Sequence, residues 1–191
     1  PAHLGQENKK FVFGHIKNSA RARDYRAAIT WLTEAGLAYG VHRISKPGIP
    51  LSSYADESAF KLFLLDIGLL GAMAGLDGGS VINGNKIFTE FKGALVEQFV
   101  CQQLVSDCEM LPFYWSAENS QGEIDFLIQD AGSVYPIEVK AEENLRAKSL
   151  HAFFRKYGDT KPRRFSLSGY REEEWMRNIP LYAIGHKGLW S

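Results

Sequence analysis

The order of periodic segments predicts a mixed α/β fold, a mixed sheet flanked by helices, behind a smaller α+β segment. Two observations carry this. A long amphipathic helix over 85–106 is followed by a strand, a hairpin, a second helix and short late strands. Apolar residues make up 45% and charged residues 23% of the 191 residues, which is globular usage and excludes a disordered or disulfide-built chain.

Each element has a local cause. Tyr25, Ala28, Ile29, Leu32 and Ala35 follow the helical period, which predicts a helix over 20–35, capped by Ser19 and stopped by Gly36. Trp31 reads as a core residue of it. A strand follows over 37–44. Two prolines and a glycine in Lys46-Pro47-Gly48-Ile49-Pro50 then force a loop. Phe60 to Leu65 is a compact apolar strand, and Asp66 caps a short helix over 67–76. One helix, two short strands around a Pro-rich loop and a second helix are compatible with a partial winged helix-turn-helix over residues 1–80. Asp77-Gly78-Gly79-Ser80 breaks the pattern and places a domain boundary near 77–84, with a second domain over 81–191.

In that second unit, Phe88, Phe91, Leu95, Phe99 and Gln102 form one row of the helix over 85–106, widened by Val96, Val100 and Leu104. Strands are expected at 113–116, 124–128 and 134–139, the last two a hairpin about the turn at Asp130-Ala131-Gly132-Ser133. A helix over 149–157 stops at Gly158, and late strands are expected at 164–167 and 181–184. Tyr114 and Trp115 read as core, and His151 as a packing residue.

Composition also limits function. Lys and Arg number 22 and so do Asp and Glu, but they are segregated. Residues 1–50 carry 8 basic and 3 acidic side chains, residues 51–145 carry 4 and 15, and residues 146–191 carry 10 and 4. An acidic centre between basic flanks suits a cation site with phosphate-binding edges. The apolar stretch over 67–74 is far too short to span a membrane, no signal peptide is visible, and the two cysteines, Cys101 and Cys108, do not have zinc or disulfide spacing. The expectation is a cytoplasmic protein with no membrane partner. The missing initiator Met points to a longer parent chain.

The hairpin concentrates the chemistry. With a four-residue loop Gln129 pairs with Val134, so Asp125 opposes Glu138 and Glu123 opposes Lys140. Strand side chains alternate faces, which puts these four ionisable groups on one face and Ile124, Phe126, Ile137 and Val139 on the other. Opposed carboxylates repel, and a hard divalent cation, Mg²⁺ or Mn²⁺, relieves the repulsion. Lys140 is placed to stabilise a developing anion or orient a water.

Gly122-Glu123-Ile124-Asp125-Phe126 and Pro136-Ile137-Glu138-Val139-Lys140 resemble the PD-(D/E)XK nuclease superfamily, with an acid on the first hairpin strand and E-x-K on the second. The resemblance implies a restriction-endonuclease-like sheet and a further acid from the long helix, Glu97. It also implies a DNA groove near the following helix, lined by Lys148, Arg155 and Lys156. Arg23 and Arg26 on the first helix are further candidates for phosphate contact. A closer resemblance is to the uncharacterised C-terminal region of bacterial and archaeal AAA+-type P-loop ATPases. It is carried by Ala22-Arg23-Asp24-Tyr25, Trp31 to Leu37, Pro50 to Tyr54, Phe60 to Leu70 and the Glu97, GEIDF and EVK segments. It implies an upstream ATPase domain as partner, although no P-loop motif, and so no ATP site of that kind, occurs in this chain.

Three functions follow as alternatives: a Mg²⁺- or Mn²⁺-dependent deoxyribonuclease with Glu97, Asp125, Glu138 and Lys140 at its centre, an inactive DNA-binding module, or a regulatory domain for the ATPase. A monomer or weak dimer is expected for the chain by itself.

Overall fold

The computed structural model describes residues 22–76, 86–117, 122–141 and 146–190, with the backbone alone at 22–24, 86–90 and 187. Its elements are α1 (Ala22–Glu34), β1 (Ala38–Ile44), β2 (Ala55–Leu64), α2 (Ile67–Met73), α3 (Lys86–Ser106), β3 (Phe113–Ser116), β4 (Glu123–Asp130), β5 (Ser133–Lys140), α4 (Lys148–Tyr157), β6 (Arg163–Ser166), β7 (Arg171–Glu172) and β8 (Arg177–Pro180). All eight strands join one mixed sheet in the order β2-β1-β3-β4-β5-β6-β8-β7. Pairs β1–β3, β5–β6 and β6–β8 are parallel and the rest antiparallel.

The strands carry apolar residues on both faces, so the sheet needs cover on both. On one side α3 supplies Val100, Cys101 and Leu104, which pack with Phe63, Tyr114, Phe126, Ile137 and Val139. On the other, α4 supplies Leu150 and Phe153, packed with Phe113, Trp115, Leu127 and Val134. Tyr114 and Trp115 are buried, in line with their sequence reading.

Two amides tie α3 to the N-terminal strands. Buried Gln98 donates from Nε2 to Leu64 O at 2.7 Å and accepts from Leu64 N–H at 2.9 Å, and Gln102 accepts from Ile67 N–H at 3.0 Å. Strands from either side of residue 80 therefore share one sheet and one helix. The linker expected over 77–84 lies outside the described residues, as does the Ser19 cap.

Asp66 caps α2 as read from sequence, its carboxylate accepting from Leu69 N–H at 2.6 Å. Three details differ from expectation. Trp31 is 63% exposed, because the half-buried stripe of α1 runs through Tyr25, Ile29 and Leu32, and Trp31 lies off it. The late strand is Arg177–Pro180, and Leu181–Ala183 is a 3-10 turn. Asn178 holds the strand upstream, its amide bound to Arg164 and Ser166, and Pro180 ends it. The hairpin turn is tighter than four residues: Asp130 pairs with Ser133, and only Ala131 (φ 44°) and Gly132 (φ 76°) bridge them. Two successive positive φ values match the right-handed strand twist. The register is unchanged, with Gln129 opposite Val134 and Phe126 opposite Ile137.

Candidate functional site

The site lies at the open end of the β4–β5 hairpin. There the β3–β4 register slips: Phe113 pairs with Leu127 but Trp115 with Ile124, so β4 carries one extra residue. A bulge of this kind re-aims side chains. Ile124 turns to the α4 side and packs with Leu127 and Trp115, rather than with Phe126, Ile137 and Val139 as simple alternation required. Glu123 turns with it and does not meet Lys140. Its carboxylate binds Lys61 Nζ of β2 at 2.5 Å.

Asp125 sits within the bulge. Its Oδ2 accepts from Val139 N–H at 2.7 Å, a donor that would otherwise serve the ladder. Burial pushes its carboxyl up to about 6, against the pull of the Lys61 ammonium and the Val139 hydrogen bond; Glu138 and Glu123 add to the rise.

Glu138 is buried. Lys140 Nζ stands 2.6 Å from its Oε1, and Leu150 N–H of α4 donates to its Oε2 at 3.4 Å. Ala147, at the N-cap of α4, has no capping oxygen, and the Glu138 carboxylate reaches this helix end instead.

Lys61 is the residue that the sequence reading missed. It lies inside an apolar strand, 1% exposed, with its ammonium 5.2 Å from the centre of the Tyr114 ring. Burial opposes its charge, but Glu97, Glu123 and Asp125 more than offset that, and its pKa lies above the ordinary lysine value. Glu97 thus comes to the site from α3 as part of the acid group around Lys61. The available signal was a lysine as the second residue of the otherwise apolar Phe60–Leu65 run.

A cavity of about 810 Å³ opens between the end of β1, the end of β3 and α4, and Lys61, Glu97, Glu123, Asp125, Glu138 and Lys140 are not among the residues that line it. Lys148, Lys156 and Arg43 line it, with Trp115, Tyr157 and Ser149. Lys156 Nζ lies over the Trp115 and Tyr157 rings at 5.5 and 5.1 Å. Arg43 is held by Asp56 at 2.7 Å, and the Asp56 carboxyl drops to about 2 through its Ser58 and Arg43 hydrogen bonds. Arg155 and Arg26 are exposed and do not line this cavity, and the side chain of Arg23 lies outside the described residues. His151 meets Trp175 edge-on at 4.9 Å, a packing contact.

Asp125 and Glu138 offer hard oxygen donors, the type that Mg²⁺ and Mn²⁺ take, and the raised Asp125 carboxyl is the electrostatic condition that a cation relieves. Among the described residues no group of three or more His, Cys, Asp or Glu is gathered as a ligand set. Two carboxylates still suit Mg²⁺, which commonly keeps water and substrate phosphate as its other ligands.

Two family models match the chain. One, described as a domain of unknown function (DUF4143), matches residues 92–183, and a second domain of unknown function (DUF8612) matches residues 1–80. No curated protein matches. A solved structure, protein VC1899 from Vibrio cholerae, is similar at 11% identity and a TM-score of 0.31, over 99% of this chain and 50% of that chain. This chain spans half the length of that protein, and a likeness at this level carries no functional argument. No helix among the described residues is long and apolar enough to cross a membrane. Residues 92–183 are similar to a domain that is found at the C-termini of AAA-type ATPase-like proteins.

Proposed function

We propose that this chain is the C-terminal part of an AAA+-type ATPase and that it carries a PD-(D/E)XK nuclease-like centre acting on DNA. The observation that carries the reading is the neighbourhood of Asp125, Glu138 and Lys140: two carboxylates and a lysine at a hairpin mouth, with Glu138 accepting from the first turn of α4, the helix that carries Lys148 and Lys156. Asp125 and Glu138 would hold Mg²⁺ or Mn²⁺, with Glu97 of α3 acting on the site through Lys61, and such an ion acidifies a bound water and neutralises charge on a phosphodiester. Lys148 and Lys156 bind backbone phosphates of the DNA. Lys140, held at Glu138, donates to the phosphate oxygen that gains charge. Lys61 offsets the mutual repulsion of Glu97, Glu123 and Asp125. The free thiols of Cys101 and Cys108 suit a reducing cytoplasm.

A second reading is an inactive DNA-binding or regulatory module. It is favoured by the Lys140–Glu138 ion pair and the Val139–Asp125 hydrogen bond, which already engage both carboxylates. Incubation of the chain with single- and double-stranded DNA in Mg²⁺ or Mn²⁺ separates the two. Cleavage that is lost in Asp125→Asn and in Glu138→Gln supports the nuclease. Binding without cleavage in either metal leaves the binding module.

A further inference from the structure

The two family matches divide the charged centre. Lys61 lies within residues 1–80, whereas Glu97, Glu123, Asp125, Glu138 and Lys140 lie within residues 92–183. A cation from one matched region is thus sealed among the acids of the other.

Its position is fixed from two sides. Lys61 pairs with Val41 in the β1–β2 ladder. Three residues on, both backbone polar groups of Leu64 are held by Gln98, the neighbour of Glu97 in α3. The Lys61 side chain is 1% exposed and its Nζ stands 2.5 Å from Glu123 Oε1, so water does little to screen its charge. Asp125 is half-buried, and an ion from solvent can reach it.

The two acids of the proposed metal centre are balanced differently. Glu138 has its own counter-ion, Lys140, at 2.6 Å. Asp125 makes no ion pair among the described residues; it accepts from Val139 N–H, and the cation that acts on it most strongly is Lys61. Two ammonium groups therefore stand against four carboxylates, Glu97, Glu123, Asp125 and Glu138, an excess of two negative charges when all are ionised. One divalent cation cancels it. Such an ion at Asp125 and the Lys61 ammonium are like charges serving the same acid, so each weakens the hold on the other.

We infer that Lys61 is a positioning residue of the proposed metal centre, an internal counter-ion that lowers its affinity for a divalent cation and makes its occupancy depend on the docking of β2. The inference rests on the metal reading above and adds its regulation. Docking of β2 lowers the affinity of the centre, and withdrawal of β2 raises it. Coupling is reciprocal, so a bound ion loosens Lys61 and with it the seam between the two matched regions.

Isothermal titration of Mn²⁺ into the full chain, at low ionic strength and about pH 8, where Asp125 is ionised, tests this. Lys61→Met should bind Mn²⁺ about tenfold more tightly than wild type, and Lys61→Arg, which keeps the charge, as wild type does. Thermal melts of the same proteins should show a larger Mn²⁺-induced rise in Tm for Lys61→Met than for wild type. Glu123→Gln takes away an acid that is partly exposed and is no ligand, and it should weaken Mn²⁺ binding about threefold. That variant decides the matter if Lys61→Met does not fold: affinity equal to or above wild type overturns the counter-ion role. A folded Lys61→Met that binds Mn²⁺ no more tightly than wild type, or a Lys61→Arg that gains as much as Lys61→Met, also overturns it and leaves the metal reading standing. Binding by Lys61→Met that persists when Asp125→Asn/Glu138→Gln is added places the ion elsewhere and overturns it too. Mn²⁺ binding by neither wild type nor Lys61→Met brings down the metal reading itself.

Discussion

Replacing Lys61 by Met removes one charge and keeps most of the side-chain volume in place. In the wild-type protein that ammonium lies 2.5 Å from Glu123 and offsets Glu97 and Asp125 as well. Removing one partner of a buried ion pair costs about 3–5 kcal/mol. Two features of the structure reduce this. The Glu123 side chain is 43% exposed and regains water. Asp125, already pushed up to about 6, can take a proton at pH 7 for about 1.4 kcal/mol. The expected loss is therefore about 2 kcal/mol at pH 7, a fall in Tm of about 4–8 °C for a chain of this size. The sign of the pH dependence follows. The Asp125 pKa rises further in the variant, so the variant's deficit is largest where Asp125 must be ionised and shrinks as pH falls from 7 to 5. Urea unfolding of both proteins at pH 5 and pH 7 measures it. A Lys61→Met protein as stable as wild type at pH 7, or one with the same deficit at both pH values, would refute the charge-balance argument.

Three further outcomes follow from the same geometry. Asp125 has a folded-state pKa of about 6 against an ordinary value of 3.8, so its contribution to stability is full below about pH 4 and is lost as pH rises to 6. Asp125→Asn, which can still accept from Val139 N–H, should flatten that slope and be about 1–2 kcal/mol more stable than wild type at pH 7, read by thermal melts across pH 3–8. Mg²⁺ or Mn²⁺ should raise the wild-type Tm by binding the folded state alone, and the shift should vanish in Asp125→Asn/Glu138→Gln; an equal shift in both proteins would place the ion elsewhere. Thr160→Val removes a buried hydroxyl that has no partner and should stabilise the ligand-free protein by about 1 kcal/mol in urea, whereas a loss of stability would mean that the hydroxyl is satisfied.

Local pattern determined much of this protein. The helical period of 85–106 and the Asp66 cap depend on neighbours a few residues away, and they appear where the sequence places them. The hairpin register was legible for the same reason, since only one pairing sets Gln129 opposite Val134 and Phe126 opposite Ile137. Tertiary structure decided what local pattern cannot encode. The extra residue in β4 arises from pairing with β3, a strand distant in sequence, and it moved Ile124 to the other core and Glu123 to Lys61. Trp31 reads as core by its large apolar ring, yet its exposure depends on which face of α1 meets β1. Lys61 reads as an interruption of an apolar strand until the fold brings Glu97, Glu123 and Asp125 around it. Its charge is stable there because three carboxylates from α3 and β4 offset the cost of burial, a balance that exists only once those elements have packed.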